Sequence, residues 1–118
     1  LSQINATHQG ICPVGWHMHK QTEWDALSTA LGGTSRAGMK MKNTNFGGDN
    51  SSGFSALGAG YRYYFGSFSY RGSGAYFWVV EEYDAGYGRF RYLYSSRGDL
   101  RRDLDRKSGG FSVRCVRN

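Results

Sequence analysis

The sequence predicts one small, loop-rich α+β domain, built mostly from strands with a single clear helix. Three observations carry this. The chain has 118 residues, a length that suits one domain and would leave two each marginal. It holds 18 glycines and one proline beside nine Tyr, seven Phe and three Trp, an aromatic load foreign to disordered chains. Apolar residues recur at helical spacing over 21–31 and alternate with polar ones near the C-terminus. The lone proline and irregular glycine spacing exclude collagen. Glycine costs about 1 kcal/mol in a helix interior, which excludes long-helix architectures. No apolar run approaches the roughly 18 residues of a membrane helix.

Residues 1–9 read as a polar lead-in, with one domain over 10–118. The missing initiator Met reads as the mark of a processed or excised chain. Ile11 to Trp16 is a turn-bearing entry to a short extended stretch. The helix over 21–31 places Trp24, Leu27, Ala30 and Leu31 on one face and stops at Gly32-Gly33, where glycine supplies a left-handed cap. Its start is poorly marked, because Lys20 stands where a Ser or Asp cap is expected. Residues 35–42 suit a second short helix, although Met39 and Met41 cannot share its face. From 43 to 60 the chain is rich in Gly, Ser and Asn, a structured loop anchored by Phe46, Phe54 and Leu57. Strands follow at 76–82, 89–94, 100–102 and 111–116. The expected core is Trp24, Leu27, Leu31, Phe54, Leu57, Trp78, Phe111 and Val113.

The net charge of +6 invites a nucleic-acid partner. The basic groups are interleaved with acids, as in Arg101-Arg102-Asp103-Leu104-Asp105-Arg106-Lys107, and a phosphate-tracking surface excludes such carboxylates. No nucleic-acid partner is expected. Histidines stand at 8, 17 and 19. His17-x-His19 on an extended segment would point two rings one way, half of a metal site without a third ligand; surface or hydrogen-bonded histidines are the plainer reading. Glu81 and Glu82 are adjacent on a strand and face opposite ways, so they make no acid/base pair. No nucleophile triad, phosphate loop or metalloprotease helix occurs, and neither an enzyme nor a cofactor or metal is expected. Cys12 and Cys115 are either two free thiols or one bridge. The stretch from Tyr83 to Gly109 is dense in Tyr, Arg, Asp, Ser and Gly, a mixture that antibody paratopes favour and that ordinary strand surfaces also tolerate.

Three segments converge on a family. Gly10-Ile-Cys-Pro-Val-Gly-Trp-His17 with Glu23-Trp24 resembles the opening of the Fibrobacter succinogenes major paralogous domain. Asn50-Ser-Ser-Gly-Phe-Ser-Ala-Leu57 with Gly60-Tyr-Arg62 resembles its middle. Phe77-Trp78 and Lys107-Ser-Gly-Gly-Phe-Ser-Val-Arg-Cys-Val-Arg117 resemble its end. The family usually has Pro-Ser at His19-Lys20 and Ser-Ser-Thr at Val79-Val80-Glu81. The resemblance implies a C-type-lectin-like fold of the formylglycine-generating-enzyme group, with one or two helices and an irregular antiparallel sheet. It also implies a Cys12–Cys115 bridge. The reactive cysteine pair of formylglycine-generating enzymes has no counterpart, and the calcium-lectin motifs are absent.

The same family supplies variable proteins of diversity-generating retroelements, in which adenine changes rewrite Asn codons at exposed positions. Against that pattern Phe77, Trp78, Glu82, Arg91, Leu93, Arg102, Lys107 and Phe111 onward read as framework. Variable positions would include Tyr76, Tyr83, Asp84, Gly86, Tyr87, Phe90, Tyr92, Tyr94, Ser96, Arg97, Asp99, Arg101, Asp103, Leu104, Asp105, Arg106, Ser108 and Gly109. None carries Gln, Glu, Lys, Met or Trp, which adenine changes in an Asn codon cannot produce. The resemblance therefore implies a non-enzymatic ligand-binding module at a bacterial cell surface or on a phage virion, outside the cell and without membrane insertion. Its ligand would be a protein or glycan on another surface. A fixed-specificity carbohydrate-binding lectin-like domain is the alternative. The expected ligand residues are Tyr83, Asp84, Tyr87, Phe90, Tyr92, Tyr94, Arg97, Asp99, Arg101, Asp103, Leu104, Asp105 and Arg106, exposed as one surface above Leu93 and Trp78.

Overall fold

A computed structural model describes residues 11–118; the expected lead-in 1–9 and His8 lie outside the described residues. The chain runs β1 (Trp16–Met18), α1 (Gln21–Ala30), α2 (Thr34–Met41), a 3₁₀ turn (Thr44–Phe46), β2 (Tyr61–Arg62), β3 (Phe68–Ser69), β4 (Gly74–Glu82), β5 (Tyr87–Tyr94), β6 (Arg101–Arg106) and β7 (Cys115–Arg117). This is an α+β fold of two helices and small antiparallel sheets, ordered β1-β7, β2-β3 and β4-β5-β6. No helix among the described residues is long and apolar enough to cross a membrane.

Glycines Gly32 and Gly33 end α1 with φ near +97° and +96°, as their sequence position predicts. Its start is assembled by tertiary contact. Lys20 offers no side-chain cap. Instead the Glu23 carboxylate accepts from the Lys20 N–H at 2.8 Å, and Glu81 of β4 accepts from the Gln21 N–H at 2.9 Å. Two acids thus satisfy donors that the helix leaves open and complement its positive end.

β4 is buried along nearly its whole length because both faces of its sheet are covered. On one face Ala75, Phe77 and Val79 join Trp24, Ala37, Met41, Phe46, Leu93 and Leu100 beneath the helices. On the other, Tyr76, Trp78 and Val80 join Cys12, Met18 and Phe90, with Phe111 and Val113 packed alongside. A register irregularity between Trp78 and Glu82 bends the strand end. Strand β7 pairs with β1 in the register Met18↔Cys115, and Cys12 bonds Cys115 across 103 residues of sequence. A disulfide is at home in an oxidising, non-cytoplasmic setting.

Two expectations about the core need correction. Leu57 is 62% exposed; its neighbour Ala56 is the residue that turns inward, because it bridges Lys42 and its N–H bonds the Met41 carbonyl. Leu27, Leu31, Phe54, Phe111 and Val113 are half-buried at the rims of the two clusters rather than sealed within them.

Candidate functional site

Alternation along β5 divides neighbouring residues between the two faces of the sheet. The pairs Tyr76↔Tyr92, Trp78↔Phe90, Phe90↔Asp103 and Tyr92↔Arg101 define one face. There Tyr61, Tyr70, Tyr76, Tyr92 and Tyr94 form a cup with Phe90 and Phe111, and Asp103 and Asp105 stand at its edge, around a cavity of about 160 Å³. The rings support one another: Tyr76 stacks on Tyr92 at 5.6 Å, Tyr61 meets Tyr76 edge-on at 4.8 Å, and Tyr92 meets Tyr94 at 5.3 Å. Burial, and then the hydrogen bond to Tyr94, drive the Tyr76 hydroxyl well above the ordinary tyrosine range. Arg101 lies over the Tyr92 ring, 5.9 Å from its centroid.

The other face carries the pairs Arg91↔Arg102, Arg89↔Leu104 and Tyr87↔Arg106. Arg91 is almost fully buried and binds Asp25 of α1 at 3.1 Å, tying helix to sheet. Beyond the helix cover, a cleft of about 390 Å³ opens between Gln21, Tyr83, Arg89, Arg91, Arg102 and Leu104, with Phe90 and Asp103 at its lining.

The connection between β5 and β6 is held by its backbone. Lys42 is fully buried, and its Nζ donates to the carbonyls of Tyr94 at 2.8 Å, Ser95 at 3.3 Å and Arg97 at 2.6 Å. Burial lowers its pKa, with Asp99 partly compensating. The Met39 N–H reaches the Gly98 carbonyl at 3.1 Å, and the Leu100 N–H reaches the Thr34 carbonyl at 2.8 Å. Glycine is required where this loop touches the helix: a Cβ on Gly38 would lie 2.5 Å from the Asp99 oxygen. Outside the clamp, Ser96 and Arg97 point to solvent, and Asp99 pairs with Arg97 at 3.1 Å and Arg101 at 3.7 Å.

The expected ligand residues therefore do not form one exposed surface. Phe90 is 8% exposed, because register points it inward against Trp78 and Phe111 rather than outward. Tyr92, Tyr94, Arg101, Asp103 and Asp105 share the tyrosine face, whereas Tyr87, Leu104 and Arg106 start from the opposite one. Arg106, at the strand end, reaches the Tyr64 ring at 4.3 Å. Tyr83, Asp84 and Tyr87 make the exposed β4–β5 turn, where the Asp84 carboxylate accepts from the N–H groups of Gly86 and Tyr87. Leu93 and Trp78 are both buried, but in different clusters on opposite sides of the sheet. Tyr76, read as a variable position, is 4% exposed.

The histidine pair does not converge. His17 places its ring nitrogens against the Glu23 carboxylate at 2.8 Å and Asn118 Oδ1 at 2.5 Å, and these acceptors raise its pKa. His19 packs on Trp24 at 4.6 Å, and burial pulls it down to about 4. Among the described residues no group of three or more His, Cys, Asp or Glu could hold a metal.

Sequence reasoning missed two parts of the site. Nothing local in the sequence marks Lys42 as a buried clamp. The β2–β3 hairpin exposes Tyr63, Tyr64, Phe65, Phe68 and Tyr70 beside the tyrosine cup, with Phe68 78% exposed. Its signal was visible as the aromatic run Tyr61-Arg-Tyr-Tyr-Phe65 beside a turn glycine.

No curated protein and no solved structure matches the chain. The Fibrobacter succinogenes major domain matches residues 2–117, nearly the whole chain, and the protein belongs to that family.

Proposed function

We propose that the protein is a non-enzymatic ligand-binding module with a C-type-lectin-like fold, displayed on a bacterial surface or a virion and diversified over β5, β6 and their connecting loop. The observation that carries this is the backbone clamp on residues 94–100. Lys42, Met39 and Thr34 bind main-chain atoms only, so loop position is independent of the side chains that Ser96 and Arg97 present. A surface that must accept many side chains without unfolding needs that separation of scaffold from contact residues. The Cys12–Cys115 bridge supports the reading, since it closes the domain ends in an oxidising setting. The pairing of the two chain ends through β1 and β7, beside small antiparallel sheets, is compatible with the lectin-like fold.

The gene neighbourhood tests it. A reverse-transcriptase gene nearby, with a near-repeat of this 3′ end differing at adenines, is the expected finding. Its absence, together with unfolding of a library randomised at positions 96, 97, 99 and 101, would sink the reading. A second reading, a fixed-specificity carbohydrate-binding domain, is favoured by the exposed rings of Tyr64, Phe65 and Phe68. Glycan-array binding abolished by Phe68→Ser would support it over the first.

A further inference from the structure

We infer that the cleft on the helix side of the sheet takes an oxyanion group of a ligand, a carboxylate or a phosphate- or sulfate-type group. Three arginines line it. Arg89 and Arg91 come from one face of β5, and Arg102 lies directly across from Arg91 on β6. Arg91 is partly neutralised by Asp25. Among the described residues no ion pair engages Arg89 or Arg102, although Arg89 lies over the Tyr83 ring at 5.4 Å. The Arg89 Nε is buried without a hydrogen-bond partner among the described residues, an unsatisfied donor on a residue that lines the cleft. Like charges on adjacent strands repel, and the only carboxylate in the cleft lining is Asp103. Planar guanidinium forks match the oxygens of carboxylate, phosphate and sulfate groups in bidentate fashion.

The cavity also suits a ligand end rather than a bare ion. Tyr83 and Leu104 form its apolar walls, which favours an acidic group carried on a hydrophobic or sugar frame. The inference stands on the arginine geometry and holds whether or not the surface is diversified.

The test is calorimetric titration of the full chain at low ionic strength with sulfate, phosphate and a short dicarboxylate, each against chloride. Saturable binding of one oxyanion per chain is expected, and the order of the three probes distinguishes tetrahedral from planar groups. Arg102→Gln should weaken binding about tenfold. Arg102→Lys, which keeps the charge and loses the fork, should recover only part of it. Arg89→Gln should act like Arg102→Gln; should it fail to fold, the two variants of exposed Arg102 carry the test. Arg117→Gln changes net charge equally on β7 and should leave binding intact. Equal weakening by Arg117→Gln, or no saturable binding of any oxyanion, overturns the inference. Either result leaves the binding-module reading standing, because that rests on the loop clamp and the gene neighbourhood.

Discussion

On one face of the β4–β5–β6 sheet, Tyr76, Tyr92 and Tyr94 cover one another with rings and leave a cup edged by Asp103 and Asp105. On the other, Phe77, Val79 and Leu93 are sealed beneath α1 and α2, and Arg89, Arg91 and Arg102 line a cleft beside them. The same strands thus build a wet, aromatic recess and a dry core one residue apart. The contrast teaches that side-chain chemistry in β5 follows what lies above each face. Tyrosine keeps a large apolar body while its hydroxyl meets water, so it suits a half-covered face; leucine needs complete cover.

Substitutions can break this contrast at several depths. The largest effect is expected from the staple that holds the aromatic side closed. Replacing both Cys12 and Cys115 with Ser should cost about 4–5 kcal/mol in the chain-entropy account of so long a loop, measured by urea unfolding. Next, Leu93→Ala on the sealed face should cost about 2–5 kcal/mol, since the side chain is completely buried among packed neighbours. Lys42→Met keeps the volume but removes the donor from three carbonyls. It should cost about 1–3 kcal/mol and raise amide exchange at Gly98 and Leu100. Tyr92→Ser on the open face should cost about 1–2 kcal/mol, because its ring is half-buried against Tyr76. Leu104→Ser on the exposed edge strand should stay within about 0.5 kcal/mol. A Leu104 effect as large as that of Leu93 would erase the distinction between core and rim.

The pH response sharpens the picture at the helix entrance. His19 is held neutral by burial, with a folded pKa of about 4 against an ordinary histidine's 6.5. Between those values the unfolded chain binds more protons, so this contribution is full above pH 6.5 and is lost as pH falls toward 4. His17 behaves oppositely: its raised pKa makes its contribution full below pH 6.5 and lost as pH rises through the folded value. Urea titrations across this range should show the acid-side loss reduced in His19→Leu and the alkaline-side loss removed in His17→Asn.

Several features were legible from neighbouring residues alone. Gly32-Gly33 ends α1 because only glycine relaxes at such φ values. Trp24 is buried as helical spacing requires, and β4 and β5 lie close to their expected ranges. Arg91, which only the family resemblance implied as framework, is buried and bound to Asp25. The first residue of α1, Gln21, matches expectation, but what caps it was not legible, because its second acceptor, Glu81, lies 60 residues away. Phe90 was misplaced for a related reason. Alternation separates it from Arg91 and Leu93, but it does not reveal that Phe111, 21 residues further along the chain, packs over Phe90 on the half-covered aromatic face.

Local order along the chain therefore determined that α1, α2, β4 and β5 form where they do, where α1 stops, and which words mark the family, since these depend on torsional preference and short-range periodicity. The expected strand over 111–116 is strand only at Cys115–Arg117, where β1 supplies a partner. Tertiary structure alone decided which face of β5 is covered, that Lys42 becomes a buried clamp, and that arginines from two strands share a cleft. Each of those depends on a partner brought across the sheet, and strand alternation specifies two sides without naming the one that another element will cover.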